Sequence, residues 1–251
     1  MKTRLKKILG VSFLLLVLAV FIGFVEKKHA ERKFAELEIS IKSVADVYFV
    51  EEKEIVENLE AEFPLLKSGV SFSEINLNQL ERKVEAHPFV KNAEVFSDQK
   101  GNIRIEIEQH IPMARIVRPR AADGYISTEG LILPTSPRYT TRVLVLHGAY
   151  AESLLEEKEL TESHEELLEL LKFIHEDEFW NAQLTELEIE KESDIKMHQQ
   201  VGKQVFEFGD ATEIEEKFSK INLFYEEILP SKGWNAYSRV NVKYKGQIVC
   251  E

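Results

Sequence analysis

An uninterrupted apolar run near the N-terminus constrains the fold of this chain more than any other feature of its sequence. The run covers residues 8–25, reads ILGVSFLLLVLAVFIGFV and contains no charged residue. At about 1.5 Å per helical residue it would extend roughly 27 Å, close to the hydrocarbon thickness of a bilayer. The sequence therefore predicts a transmembrane helix over residues 8–25.

A cleaved secretory signal peptide is the alternative interpretation, because a basic segment with Lys2, Arg4, Lys6 and Lys7 precedes the run. The run is, however, longer than the roughly 7–15 apolar residues of a signal peptide. The following sequence EKKHAERKFAE also lacks a small-x-small cleavage motif. Both features favour an uncleaved anchor.

Charge alone does not decide how this anchor is oriented. Four basic residues also follow the run, namely Lys27, Lys28, Arg32 and Lys33, and they match the four that precede it. A short basic tail most simply stays in the cytoplasm, whereas a long domain can cross the membrane largely regardless of its charge. We therefore expect residues 1–7 to be cytoplasmic, residues 26–38 to form a stalk, and the remaining chain to lie outside the inner membrane of the cell.

The composition excludes two kinds of site. Without the four basic residues of the tail, 28 Lys and Arg remain against 44 Asp and Glu, a formal balance of −16. Nucleic acid is therefore a poor partner, because duplex binding depends on clustered basic residues that displace counterions. Cys250 is the single cysteine, which excludes an internal disulfide framework and a cysteine-rich metal site.

Residues 39–110 have the pattern of a small two-layer domain. An alternating strand begins at Ile39, and two segments with helical periodicity follow it. Asn76 and Gln79 supply a capping box for the second helix, which His87-Pro88 ends. Two alternating strands, FVKNAEVF and NIRIEIE, then flank a turn that contains Gly101. The predicted order is β-α-α-β-β, with the helices covering one face of the sheet.

Residues 111–251 are predicted to form a second domain, a mostly antiparallel sheet with two helices. Ser163 with Glu166 and Thr212 with Glu215 have capping-box spacing, and each precedes a stretch of apolar residues at helical spacing. Short alternating runs at residues 187–189, 195–197 and 206–208 indicate strands. The predicted fold class of the whole chain is thus α+β behind a single transmembrane helix.

No combination of residues carries a convincing catalytic pattern. The sequence SDIK at residues 193–196 fits S-x-x-K, but the companion motifs S-D-N and K-T-G are absent. Carboxylates adjoin His164 and His175 without the spacing of H-E-x-x-H, and neither a P-loop nor G-x-G-x-x-G occurs. The sequence therefore predicts no enzyme activity, no cofactor and no metal ion.

Several motifs resemble those of the FtsQ/DivIB family of bacterial cell-division proteins, including its POTRA domain. PFVKNAEV at residues 88–95 is similar to the family pattern P-x-V-x-x-A-x-V. QHIPMA at residues 109–114 is similar to the segment that leaves the POTRA domain, with His110 where arginine is more usual. GYISTEGLILPTS at residues 124–136 resembles the following strand pair, with Ser127 at an aspartate position.

The resemblance extends to the end of the chain. VLVLHG at residues 143–148, FEFG at residues 206–209 and Lys217-Phe218 match later elements of the family in the same order. RVNVKYKGQ at residues 239–247 resembles the last strand, with Asn241 where aspartate is more frequent. Each motif alone is weak, but their order over the whole chain is specific.

This resemblance implies a non-catalytic, single-pass scaffold at the division septum. Such a protein would recruit FtsB- and FtsL-type partners, contact other septal proteins through the POTRA domain, and help to control septal peptidoglycan synthesis. A POTRA-type envelope assembly or translocation factor is one alternative, but an outer-membrane translocation protein needs a long series of barrel strands for which the chain is too short. A membrane-tethered envelope enzyme is the other alternative.

The last strand is the predicted partner site. Residues 238–249 alternate apolar and polar side chains, and we expect them to form one strand at a sheet edge, where a partner could add a strand of its own. The basic side chains of its polar face would steer an acidic partner, although lysines can also simply protect an edge from aggregation. From the resemblance, the predicted contact residues are Arg239, Val240, Asn241, Val242, Lys243, Tyr244, Gly246 and Gln247.

Overall fold

The computed structural model of the chain describes residues 13–21, 33–42, 49–67, 69–160 and 162–251. Of the predicted transmembrane residues 8–25, only residues 13–21 are described; they are helical, and most of their large apolar side chains are exposed. Within the described ranges, no helix has the length and apolar character needed to cross a bilayer. The predicted anchor reaches beyond the described residues at both ends and stays a prediction.

The chain divides into two compact units with the main boundary between Gln109 and His110, and Phe49 belongs to the second unit. The first unit contains strand β1 (Leu37–Ile41), helices α1 (Glu52–Glu62) and α2 (Leu77–Glu85), and strands β2 (Val90–Ser97) and β3 (Ile103–Gln109). The predicted β-α-α-β-β order is confirmed. Strand β1 begins two residues inside the predicted stalk, and Phe34, just before it, is buried.

Strand β3 is the centre of the first unit. It pairs in parallel with β1 on one side and antiparallel with β2 on the other. Its alternating isoleucines, Ile103, Ile105 and Ile107, are completely buried, as the sequence pattern predicts for a sheet with one covered face. Helix α2 begins at the predicted cap, because Asn76 Oδ1 accepts a hydrogen bond of 3.3 Å from Gln79 N.

The second unit is built on one large sheet. Its first strands are β4 (Pro112–Ile116), β5 (Gly124–Ser127), β6 (Ile132–Pro134) and β7 (Leu144–His147), followed by β8 (Leu184–Ile189), β9 (Ile195–Gln199), β10 (Val205–Gly209), β11 (Arg239–Asn241) and β12 (Val249–Cys250). The spatial order is β12-β11-β10-β9-β8-β7-β4-β5-β6. Five neighbouring pairs are antiparallel. Three pairs are parallel, so the sheet is mixed, with antiparallel pairs in the majority as predicted.

The prediction of two helices for the second unit is too low. The described residues of this unit contain five α-helices: α3 (Ala149–Ser153), α4 (Glu165–Glu176), α5 (Glu178–Gln183), α6 (Ile214–Leu223) and α7 (Leu229–Lys232). A π-helical turn, Phe224–Ile228, joins α6 to α7. Helices α4 and α6 are the predicted pair, and their apolar faces share one core cluster with the sheet residues Leu146, Leu187, Met197, Phe206 and Phe208.

Both predicted caps of these two helices are wrong. Helix α4 begins after His164 and helix α6 after Glu213, and neither residue makes a side-chain cap hydrogen bond. Thr212 is engaged elsewhere, because its Oγ1 donates to Asp210 Oδ1 at 2.7 Å. Glu213 has a left-handed backbone conformation, with a φ of 49°, so the helix begins only at Ile214 and Thr212 lies one residue outside the cap position.

Candidate partner-binding site

The predicted partner strand is shorter than its sequence pattern indicates. Strand β11 ends at Asn241, and the chain leaves the sheet until β12 begins at Val249. Lys243 N donates to the side chain of Asn241 at 3.1 Å, and Gly246 turns the chain with a φ of +66°. The expectation of one continuous strand over residues 238–249 is therefore wrong, because a local side-chain bond and a left-handed glycine replace strand pairing there.

Strand β11 is also not the edge of the sheet. It lies between β10, with which it is parallel, and β12, with which it is antiparallel. Arg239 and Glu251 exchange two backbone hydrogen bonds, Arg239 N to Glu251 O at 3.0 Å and Glu251 N to Arg239 O at 2.9 Å. The expected edge position of β11 is thus occupied by the last residues of the same chain.

The edge at this end of the sheet is β12. Because Arg239 and Glu251 form a hydrogen-bonded pair, the next pair, Val240 and Cys250, is of the non-hydrogen-bonded kind. The backbone N–H and C=O of Cys250 therefore point away from β11, towards the outside of the sheet. Sequence analysis missed Val249, Cys250 and Glu251 as site residues, since a two-residue strand has no periodicity to find.

The opposite edge of the sheet, β6, has no free outward-facing N–H at its strand positions. The register with β5 directs the backbone nitrogen atoms of Ile132 and Pro134 outwards. Ile132 N donates to Lys158 O at 2.9 Å, and Pro134 has no N–H to offer. Of the two edges of this sheet, β12 is therefore the one with an outward-facing strand donor.

The basic face predicted for the last strand is neutralised within the domain. Glu207 on β10 accepts from Asn241 Nδ2 at 2.7 Å and lies 3.3 Å from both Arg239 Nε and Lys243 Nζ. Glu251 Oε2 lies 2.8 Å from Arg239 Nη2. Arg239 and Lys243 already face carboxylates, which reduces the positive field expected to steer an acidic partner, while Lys245 of the same predicted face is exposed.

The eight predicted contact residues fall into three groups. Val240 and Val242 are buried in the core, and Arg239, Asn241 and Lys243 surround Glu207. Tyr244, Gly246 and Gln247 lie exposed in the connection between β11 and β12. Tyr244 shares its sequence parity with the buried valines, yet 52% of it is exposed, because the strand has ended before it.

The residues considered for catalysis are not assembled into a site. Lys196 of the SDIK sequence donates to Glu188 at 2.6 Å, which lowers the pKa of that carboxyl group. His164 lies beside Ser163 and 3.9 Å from Glu157, on the helix entry rather than with a second histidine. Among the described residues, no three His, Cys, Asp or Glu side chains are placed to hold a metal ion.

Comparison with known families agrees with this architecture. Residues 33–108 match the model of a POTRA-like domain, and residues 111–251 match the model described as FtsQ/DivIB, C-terminal related. No curated protein matches the chain. The fold is therefore that of a POTRA-like domain followed by an FtsQ/DivIB-related sheet domain, and the second match alone spans more than half of the sequence.

The chain belongs to the FtsQ/DivIB family. This is a family of non-enzymatic cell-division scaffolds that act with other divisome proteins.

Proposed function

We propose that this protein is a single-pass envelope scaffold of the divisome that recruits FtsB- and FtsL-type partners and helps to control septal peptidoglycan synthesis. Residues 1–7 lie in the cytoplasm, residues 8–25 cross the inner membrane, and the two folded units lie outside it at the septum. The first unit contacts other septal proteins. Family membership and the uncharged run of residues 8–25 support this proposal.

The partner binds by adding a strand to β12. The observation that carries this step is the outward N–H and C=O of Cys250 on β12. At the opposite edge, β6, Ile132 and Pro134 have no free N–H to offer. An unpaired strand edge offers main-chain hydrogen bonds to a second chain. Tyr244 contributes an exposed aromatic side chain from the connection just before this strand, a residue type enriched at binding hot spots.

A proline at the edge tests strand addition. Cys250→Pro removes the outward N–H while leaving the backbone bonds between Arg239 and Glu251, and edge strands tolerate proline. We expect this variant to lose co-purification of the FtsB- and FtsL-type proteins of the same organism. Cys250→Ala is the matched control, because it changes the side chain and keeps the donor; it should bind as the wild type does.

A proline at Asn241 or Lys243 is a less direct test of strand addition. Asn241 is paired with Val249 of β12, and Lys243 N is bonded to the Asn241 side chain. Either substitution would disturb the domain itself. A folded Cys250→Pro protein that still co-purifies its partners at wild-type levels would contradict strand addition at β12.

Topology and cellular role have separate tests. A reporter that is active only outside the cytoplasm, fused after Glu251, should be active; activity of a cytoplasmic reporter alone would reverse the orientation.

Depletion of the protein should give filamentous or chained cells with unfinished septa, because growth continues while constriction stops. Normal septation after complete loss, in cells without a second copy, would contradict the divisome role.

A further inference from the structure

A buried lysine holds the connection between β11 and β12 from the inside of the domain. Lys220 lies on α6, and only 9% of its side chain is exposed. Its Nζ donates to the carbonyl oxygens of Val242 at 3.2 Å and Tyr244 at 2.8 Å. A charged donor to two backbone carbonyls makes stronger hydrogen bonds than a neutral one, so this contact anchors the first half of the connection.

Glu216, one helical turn earlier on α6, anchors the second half. Its Oε1 lies 3.1 Å from Lys220 Nζ and accepts from Gly246 N at 3.4 Å. The hydrogen bond from Lys220, and next the one from Gly246, lower the pKa of this carboxyl group, so it is charged at neutral pH. The two side chains thus bind the connection at its carbonyl groups and at its N–H.

The connection has few other bonds to fix it. The described backbone bonds inside residues 242–247 are Val242 N to Glu207 O at 3.1 Å and Gln247 N to Tyr244 O at 3.4 Å. Gly246 has nothing within 4 Å of the position where a Cβ would stand, so packing does not restrain it either. Lys243 is fixed by its own bonds to Asn241 and Glu207, so without the Glu216–Lys220 pair residues 244–247 would sample many conformations.

Lys217, three residues before Lys220, provides a comparison inside the same helix. It is also buried, but its Nζ donates to Asp210 O at 2.9 Å and Asp210 Oδ1 at 2.6 Å, on the loop after β10. Both lysines therefore serve the stability of α6, whereas of these two, in the part of the chain that the structure describes, only Lys220 is hydrogen-bonded to the connection that carries Tyr244.

We infer that the Glu216–Lys220 pair is a positioning element for partner binding, which holds residues 242–246 in their bound conformation so that Tyr244 is presented before the partner arrives. This inference rests on the proposed function, because it assigns a role in the same partner site. Its physical basis is preorganisation: a segment that is ordered beforehand does not lose conformational entropy when the partner binds.

Amide hydrogen exchange tests the positioning in the absence of any partner. In the full chain, Lys220→Met should accelerate exchange at Gly246 and Gln247 by roughly tenfold or more. Lys220 then no longer holds their acceptors, Glu216 Oε1 and Tyr244 O, in place. Lys217→Met should leave both amides unchanged, although it also removes a buried charge. Unchanged exchange at Gly246 and Gln247 in Lys220→Met would overturn the inference.

Binding of the FtsB- and FtsL-type proteins of the same organism tests the consequence. Lys220→Met should weaken the affinity by roughly tenfold, and Lys217→Met by less than about twofold, measured where both variants are folded. Tyr244→Ala should weaken binding in the wild type but add little in Lys220→Met, because the ring is no longer presented. Fully additive losses would indicate a merely structural lysine and would overturn the positioning role.

Two further comparisons keep the outcome clear. If Lys220→Met fails to fold, Glu216→Ala replaces it, since Glu216 is more exposed and its loss still frees Gly246 N. If Cys250→Pro abolishes binding while Lys220→Met binds normally, the positioning role is overturned and strand addition stands. If Cys250→Pro binds normally but Lys220→Met does not, and the Tyr244 coupling is present, strand addition fails and the positioning role is supported.

Discussion

Lys217 Nζ lies 2.6 Å from Asp210 Oδ1, and the two side chains differ greatly in exposure, 3% for the lysine and 51% for the aspartate. The ammonium group also donates to Asp210 O at 2.9 Å and lies 4.8 Å from the centre of the Phe208 ring. A buried charge is thus balanced by a carboxylate that reaches it from the solvent side. Such a charge is tolerated only while it is paired and hydrogen-bonded.

Removing the charge of Asp210 should destabilise the second unit. Asp210→Asn leaves Lys217 buried without a counter-charge, and we expect a loss of about 1–3 kcal/mol in the free energy of unfolding, moderated because water reaches Asp210. Urea denaturation at pH 7 measures this loss. Glu227→Gln, an exposed substitution on the same unit, should change the free energy by less than about 0.5 kcal/mol. Equal effects of the two substitutions would contradict the importance of the pair.

The same pair should appear in the acid limb of the stability curve. The hydrogen bond from Lys217, followed by that from Thr212, lowers the pKa of Asp210 below its ordinary value of 3.8. Because the folded pKa is the lower one, the stabilisation is complete above pH 3.8 and is lost as the pH falls towards the folded value. The free energy of unfolding, measured by denaturation between pH 5 and about 2.5, should therefore decrease less with falling pH in Asp210→Asn than in the wild type.

His175 should contribute a second pH dependence nearer to neutrality. Burial lowers its pKa from the ordinary 6.5, outweighing the opposite effect of Glu176. The unfolded chain then binds a proton at a higher pH than the folded chain, so stability is complete above pH 6.5 and decreases as the pH falls below it. His175→Gln, which cannot be protonated, should flatten the unfolding free energy between about pH 7 and 5. An unchanged slope would rule out His175 as its source.

Two glycines allow the stability cost of an unfavourable backbone conformation to be measured separately from the cost of a steric clash. Gly148 and Gly233 both have a positive φ, +106° and +97°, in a region that side chains rarely enter. A Cβ on Gly148 would lie 2.6 Å from Ile189 O, whereas one on Gly233 would have nothing within 4 Å. Gly233→Ala should lose about 1–3 kcal/mol, and Gly148→Ala at least about 1 kcal/mol more. Thermal unfolding of both variants measures the difference, and equal losses would show that the Ile189 backbone yields.

The first unit was predictable because its signals are local. Alternation alone places Ile103, Ile105 and Ile107 in the core, and the capping residue Asn76 is three residues from its partner. Period and capping act over a few residues, so they can be recognised without knowing what packs nearby. The order of elements follows directly from them.

The partner site was less predictable because long-range contacts decide it. Residues 238–249 alternate like a strand, but Lys220 lies far away in sequence and binds the carbonyl oxygens of Val242 and Tyr244, where β11 has already ended. Strand β12 has only two residues and is placed by its pairing with β11. No periodicity in the sequence reports these partners.

His110 shows how a departure from the family pattern is accommodated. The position that usually holds arginine faces Glu129, with His110 Nδ1 3.2 Å from Glu129 Oε2. Ser127, at the usual aspartate position, accepts from Glu129 N and Leu131 N through its Oγ. The carboxylate beside His110 thus comes from the turn two residues further on, which a position-by-position comparison does not reveal.

The lack of a free outward-facing N–H at the strand positions of β6 limits how copies of this protein could join. Continuous head-to-tail growth of a sheet needs an accepting edge at each end, but Ile132 is bonded to Lys158 and Pro134 has no donor. Copies that join through donors of this sheet alone would therefore meet edge to edge at β12 on both sides, which closes a two-fold pair and ends growth. The sheet therefore has an exposed strand edge at β12 but lacks the second donor edge that head-to-tail growth into a fibre would need.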